Sequence, residues 1–200
     1  MKAIAETPRK ALSRVRTGSF VRAADLPGSR VAAHSVLSRA HSAGELVAIR
    51  KGLYWKGERT RYGMTRPSTE EVAVNVLGKQ GVGPTGFTAA RALGLTTQLP
   101  AKPAMTVAGP VPASVPGVLV SKRNNMARRR LRFVEIAVLE LLRGDWERTV
   151  DDGWPALVDA VRRETADRRI RLDRLAEAVE SERSPAARES FARLADSLSH

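Results

Sequence analysis

Residues 20–55 read FVRAADLPGSRVAAHSVLSRAHSAGELVAIRKGLYW, and this stretch decides the fold. Phe20-Val21 suit a short strand, Arg22–Leu26 a brief helix, and Pro27-Gly28 a turn. Ser29 stands where a helix N-cap belongs, its hydroxyl placed to accept an orphan N–H of the first turn. Within residues 30–43, Ala33, Val36, Leu37 and Ala40 recur at helical spacing and mark one inward face. Gly44 supplies the C-terminal stop. ELVAI and GLYW flank Arg50-Lys51-Gly52, a hairpin with glycine in its turn. Helix, turn, second helix and a basic two-stranded wing are the one-dimensional form of a winged helix-turn-helix. Such a fold offers one helix to the DNA major groove and a hairpin to the adjacent backbone.

Working outward, Thr7-Pro8 open a first helix, with proline at an early position where its missing N–H costs nothing. Leu12 and Val15 are expected inside, Arg9, Lys10, Arg14 and Arg16 solvated, and Gly18 at the helix end. Residues 57–67, GERTRYGMTRP, lack periodicity and read as a linker. Ser68-Thr69-Glu70-Glu71 is a capping box, Ser at N-cap and Glu at N3, followed by Val72, Val74 and Val76-Leu77. A further helix runs from about Thr85 to Leu93 and stops at Gly94. Five prolines between Pro100 and Pro116 break up the next stretch, leaving AMTVAG and GVLVS as short edge strands. From Ile136 onward the pattern is helical: AVLELLRG, WPALVDAVRRE, RLDRLAEAVES and PAARESFARLADSL. The expected class is α+β, with a winged helix-turn-helix over residues 1–62. Residues 63–200 then form a mixed α/β module with a helical C-terminal tail.

The 200 residues suffice for one ordinary domain or two small ones, and 42% hydrophobic content is enough to bury a core. The net charge of +13 attracts polyanions, nucleic acid first. Its distribution says more than its total. Residues 1–66 hold 14 Lys/Arg against 4 Asp/Glu, residues 121–133 hold 6 against none, and residues 134–200 hold 11 against 15. A chain solubilised by charge would intersperse the signs, so this polarity favours a nucleic-acid-facing front half. No apolar run approaches the roughly 18–20 residues a membrane span needs. The start, MKAIAETPRK, lacks a signal peptide's apolar core. Without cysteine there is no disulfide framework and no thiolate metal site, and a reducing cytoplasm fits.

If Ala33, Val36, Leu37 and Ala40 pack inward, the residues between them project outward. The N-terminal half of a recognition helix meets base edges, which selects Arg30, His34 and Ser35. Arginine can pair bidentately with guanine, and serine is an adaptable contact. Ser38 and Arg39 reach phosphate, as does the backbone N–H of Ser29 at the helix N-terminus. Arg50 and Lys51 at the wing tip meet backbone or minor groove, and Lys10, Arg14 and Arg16 flank the duplex. Blander readings stand beside these. Arg39 is as well suited to covering Val36 and Leu37 with its stem, or to pairing with Glu45. His34 and His41 suit ordinary surface positions, and Tyr54 and Trp55 suit the core beneath the wing. A second basic cluster, Lys122, Arg123, Arg128, Arg129, Arg130 and Arg132, reads either as solvated surface or as a contact for a partner or nucleic acid.

Catalysis finds no constellation. Gly81-Val82-Gly83-Pro84-Thr85-Gly86 is not a phosphate-cradling P-loop, because Pro84 removes an N–H and no Lys-Ser/Thr follows; it reads as a loop. The histidines His34, His41 and His200 have no carboxylate at ligand spacing, and no nucleophile elbow occurs. No catalytic residue, metal or cofactor is therefore expected.

LSRAHSAGELVAIRKGLYW resembles the N-terminal domain of bacterial AbiEi-type antitoxins. TGFTAARALGLTTQLPA and RRRLRFVEIAVLELLR resemble the downstream module of that group, so the likeness spans roughly residues 8–165. The resemblance implies a type IV antitoxin encoded beside a nucleotidyltransferase toxin. It would counter the toxin, directly or functionally, through its downstream module. It would also repress its own operon by binding operator DNA of inverted repeats. The second basic cluster becomes the candidate antitoxicity surface. A nucleotidyltransferase itself needs a Gly-Ser turn followed by spaced aspartates, whereas Gly28-Ser29 is followed by no aspartate until Asp145. The alternative is a stand-alone winged-helix regulator whose second module dimerises or senses a ligand.

Overall fold

The computed structural model describes residues 6–199. The first four residues of the MKAIAETPRK start and its Ala5, together with His200, lie outside that range. The chain is α+β and divides into two compact units, the first ending at Ser68 and the second starting at Thr69.

In the first unit α1 spans Pro8–Arg14, with Thr7 as N-cap accepting from the Lys10 N–H at 3.3 Å. The helix ends at Arg14 rather than Gly18, which instead lies with φ +77° in the turn leading to β1, Ser19–Val21. A single 3-10 turn, Ala23–Asp25, follows, closed by the Asp25 carboxylate accepting from the Arg22 N–H at 2.7 Å. Helix α2 covers Arg30–Ser42, and the Ser29 hydroxyl accepts from the Ala32 N–H at 3.2 Å. Ala33, Val36, Leu37 and Ala40 are all buried, against Leu12, Val21 and Leu46. Strands β2, Val47–Arg50, and β3, Leu53–Lys56, form the expected hairpin, with β3 central in an antiparallel sheet of order β1-β3-β2. Trp55 is buried, packed edge-on to Phe20 at 4.8 Å, which assigns it to the core rather than to base stacking.

Residues 57–67 are not a bare linker. They hold a second small hairpin, β4, Arg59–Thr60, and β5, Gly63–Met64. Strands of two residues are too short to display a period, which hides them from pattern reading. At the hairpin's base the Glu58 and Thr65 main chains bond to each other, and the Thr65 hydroxyl accepts from the Glu58 N–H. Gly57 is obligatory there: an added Cβ would sit 2.2 Å from the Thr65 carbonyl oxygen and 2.8 Å from Trp55 Nε1. These contacts explain why residues 63–68 fold with the first unit instead of opening the second.

The second unit begins with α3, Thr69–Leu77. The Gly-rich stretch expected as a loop contains a strand, β6, Val82–Pro84, fully buried. It pairs antiparallel with β7, Ala104–Ala108, which pairs parallel with β8, Leu119–Arg123. AMTVAG is therefore the middle strand, not an edge. Pro84 is tolerated because β6 is an edge strand, paired on one side only. Gly83 lets β6 lie against Ile136, whose Cβ would come 2.5 Å from any added methyl. Helix α4, Gly86–Ala92, ends where Gly94 takes φ +70°.

The C-terminal half is helical: α5, Phe133–Glu140, a π-helical turn at Leu141–Asp145, α6, Trp146–Thr149, α7, Gly153–Ala166, α8, Leu172–Glu180, and α9, Pro185–Ser199. Leu194 of α9 joins the largest buried cluster, with Leu139, Leu142, Leu157 and Leu175. The helical tail is thus a structural wall of the second unit, which gives residues 166–199 their role. No helix among the described residues is long and apolar enough to cross a membrane.

Three buried carboxylates tie this unit together. Glu135, near the start of α5, accepts from the Arg132 N–H and from the Arg171 side chain at 2.8 Å. Glu140 receives Arg123 and Arg128, and Glu182 receives Arg128 and Arg143. Burial pushes each carboxyl up, but the facing guanidinium groups and N–H donors outweigh it and hold all three below the ordinary value of 4.5. A depressed folded pKa stabilises above the unfolded pKa and is lost as pH falls through the folded one. The second unit should therefore melt at a steady temperature between pH 8 and 5.5 and lose stability below pH 4.5. A Trp55→Phe variant leaves Trp146 and Trp154 to report this unit by fluorescence. Acid-insensitive melting would refute the ion network as its anchor.

Candidate nucleic-acid interface

The first unit exposes every residue selected from its sequence as facing DNA. Ser29, Arg30, His34, Ser35 and Ser38 lie exposed along the side of α2 opposite its buried stripe. Helical spacing forces this division, since one face is committed to Leu37 and its neighbours. Between Arg30 and His34 lies Val31, 80% exposed, an apolar side chain with no burial role. Arg39 is exposed too, its Nε donating to the Ser35 carbonyl at 3.3 Å, and it lines a shallow depression between α1 and α2 with Arg9 and Glu45. The pairing considered for Arg39 does not form. Arg9 takes Glu45 instead, bidentately at 2.5 and 2.7 Å, and holds that carboxyl below its ordinary range.

Arg50 closes β2, and Lys51-Gly52 make the turn, with Gly52 at φ +78°. Both cations are exposed. Lys10 and Arg16 are exposed; Arg14 is exposed but paired with Glu6 at 2.8 Å. Lys10, Arg16, Arg30, Arg39, Arg50 and Lys51 have no ion pair among the described residues. Lys56, by contrast, is spent internally: its ammonium donates to the carbonyls of Leu12, Ser13 and Val15 at the end of α1. A lone lysine ending a strand carries no signal of that task.

The β4–β5 hairpin adds residues that sequence reasoning missed. The Arg61 guanidinium lies 4.6 Å over the ring of Tyr62, which is 84% exposed at the hairpin tip. Tyr62 N–H donates to the Thr60 hydroxyl, which in turn donates to the Gly63 carbonyl, so the tip is set by its own bonds. Arg59 reaches the Gly44 carbonyl just beyond α2, at 3.4 Å. The only available signal was the Arg-Tyr-Gly triplet between threonines.

The second basic cluster is not one surface. Arg128 is 1% exposed, clamped between Glu140 at 2.5 Å and Glu182 at 2.6 Å, which removes it from any partner-facing patch. Arg123 is largely engaged with Glu140. Arg132, though exposed, donates to the Arg168 carbonyl, and Arg130 lies 3.6 Å from Glu177. An unpaired arginine would leave a charge buried at a cost of several kcal/mol, so burial of Arg128 requires both glutamates. Lys122 and Arg123 line a cleft of about 560 Å³ shared with Asn124, Asn125, Arg143 and Glu182, among others. No group of three or more potential metal ligands occurs among the described residues.

Fold and site together define an α+β protein whose first unit presents a helix and two hairpins rich in unpaired cations. The chain belongs to a family of unknown function, DUF6088, whose model matches residues 6–125, more than half of its length. Among solved structures it is similar to the RV2827C protein from Mycobacterium tuberculosis, with a TM-score of 0.48 and 18% identity, covering 94% of this chain and 75% of that one. No curated protein matches.

Proposed function

We propose that residues 8–56 are a winged helix-turn-helix that binds double-stranded DNA, with α2 in the major groove and the β2–β3 hairpin as wing. The carrying observation is the outer face of α2, where Arg30, His34, Ser35 and Ser38 are exposed while every apolar stripe residue is buried. Exposed Val31 suits contact with a thymine methyl. The β4–β5 hairpin adds a second basic projection ending in an aromatic ring. We further propose that the protein is an antitoxin that represses its own operon and counters a nucleotidyltransferase toxin. That assignment is supported by the resemblance of LSRAHSAGELVAIRKGLYW and TGFTAARALGLTTQLPA to AbiEi-type antitoxins. The second reading, a regulator with a sensing module, is favoured by the cationic cleft of the second unit.

Fluorescence anisotropy against a duplex from the region upstream of the gene tests the DNA reading. If about six phosphates are neutralised, log affinity should fall with log salt at a slope near −5. Arg30→Ala should relax preference at one base pair by about 1–3 kcal/mol. Equal losses on the upstream and an unrelated duplex would remove Arg30 from base reading, and salt-independent binding would sink the interface altogether. Growth rescue by the full chain, when co-expressed with a neighbouring nucleotidyltransferase, tests the antitoxin role.

A further inference from the structure

The ion network of the second unit does not balance. Three guanidinium groups, Arg123, Arg128 and Arg143, form ion pairs with only two carboxylates, Glu140 and Glu182; a further carboxylate, Asp145, acts on Arg123 without bonding to it and is itself paired with Arg148. Arg128 and both glutamates are almost wholly buried, and Arg128 Nη2 finds no acceptor. Excess charge in a site of low exposure is costly unless a counter-ion reaches it. One opening does reach it. Glu182, Arg123 and Arg143 all line the cleft of about 560 Å³, whose rim adds Lys122 and Arg183. Neither rim cation forms an ion pair among the described residues.

The cleft is also built rather than incidental. Arg143 sits in the π-helical turn, where Gly144 at φ +118° breaks the helix beside it. It gives one nitrogen to Glu182 and keeps the rest of its donors. Asn125 is held by Ala178, Glu182 and Ala127, which fixes the opposite wall. The single carboxylate lining the cleft, Glu182, is already matched by Arg128 and Arg143, so it does not repel an incoming anion. Pockets of about 300–1,000 Å³ take small-molecule ligands. No aromatic residue lines this one, so it offers charge to a phosphate and no stacking platform to a base.

We propose that this cleft binds a phosphate-bearing ligand, with Lys122, Arg143 and Arg183 as its direct contacts and Arg123 completing the cationic wall. Guanidinium and ammonium groups arranged this way recognise phosphate through charge-assisted hydrogen bonds. The proposal is independent of the DNA reading, whose cations all lie in the other unit.

Isothermal titration of the full chain with pyrophosphate, and separately with a single-stranded ten-residue oligothymidylate, tests it. Lys122→Ala/Arg183→Ala is the comparison, chosen because both residues are exposed and carry no structural pair; far-ultraviolet circular dichroism checks its fold. Saturable one-to-one binding of pyrophosphate, weakened at least tenfold in the double variant, is the expected result and assigns a small phosphorylated ligand. Binding of the oligonucleotide alone, with the same loss, upholds the phosphate site and assigns a polynucleotide as its source. No saturable binding of either probe, or equal affinity in the double variant, overturns it.

Discussion

Arg128→Met should lower the stability of the second unit by about 3–5 kcal/mol, the usual consequence of removing one partner from a buried ion pair. Methionine matches the stem's volume, so packing changes little and the loss reports the ion pairs and hydrogen bonds that the guanidinium makes to Glu140 and Glu182. Two carboxylates that are nearly inaccessible would each lose a guanidinium while Glu140 kept Arg123 and Glu182 kept Arg143. At roughly 4 °C per kcal/mol for a unit of this size, the melting temperature should fall on the order of 10–20 °C. Because Arg123 and Arg143 still face Glu140 and Glu182 one to one in that variant, adding Glu140→Gln with Glu182→Gln should recover none of the loss: it leaves those two guanidinium groups without carboxylates. An Arg128→Met protein as stable as the parent would mean that the network is decorative. Recovery in the triple variant would mean that the single variant does leave negative charge uncompensated, and that Arg123 and Arg143 do not serve these carboxylates.

The same network shows where one-dimensional reading ends. Arg128, Arg129 and Arg130 are identical letters in a row, and nothing local separates them. Arg128 is buried because Glu140 and Glu182, 12 and 54 residues away, meet its guanidinium. By contrast, α2 and its surroundings were legible because their determinants are local. The Ser29 cap, the spacing of Ala33, Val36, Leu37 and Ala40, and the Gly44 stop all act within a few residues. Strand β6 was hidden for the opposite reason. Val82-Gly83-Pro84 carries the residues of a loop, yet the close approach of Ile136 makes Gly83 a packing requirement and places the segment in a sheet. The outer face of α2 could be read as the complement of its core stripe. The Arg61-Tyr62 tip could not, since it depends on a hairpin of two-residue strands.

That tip leads to the largest expected functional effect. On the proposed reading, Arg50 and Lys51 on the wing and Arg61 with Tyr62 on the second hairpin meet the duplex backbone. Exposed ion pairs contribute at most about 1 kcal/mol each, so one hairpin's loss is modest. Removing all three cations, Arg50→Ala/Lys51→Ala/Arg61→Ala, should approach 3 kcal/mol, about a hundredfold in affinity. The salt slope should flatten by about three, since each contact contributes close to one counterion. Sequence preference should stay intact, because these residues hold phosphates and α2 reads bases. Adding Tyr62→Ala separates charge from ring: further weakening at an unchanged salt slope marks a stacking or apolar contact. If wing and hairpin variants weaken binding independently, their free energies will add, as they do for sites without shared partners. An Arg61→Ala/Tyr62→Ala protein that binds as the parent does, at every salt concentration, would confine the interface to α2 and the wing.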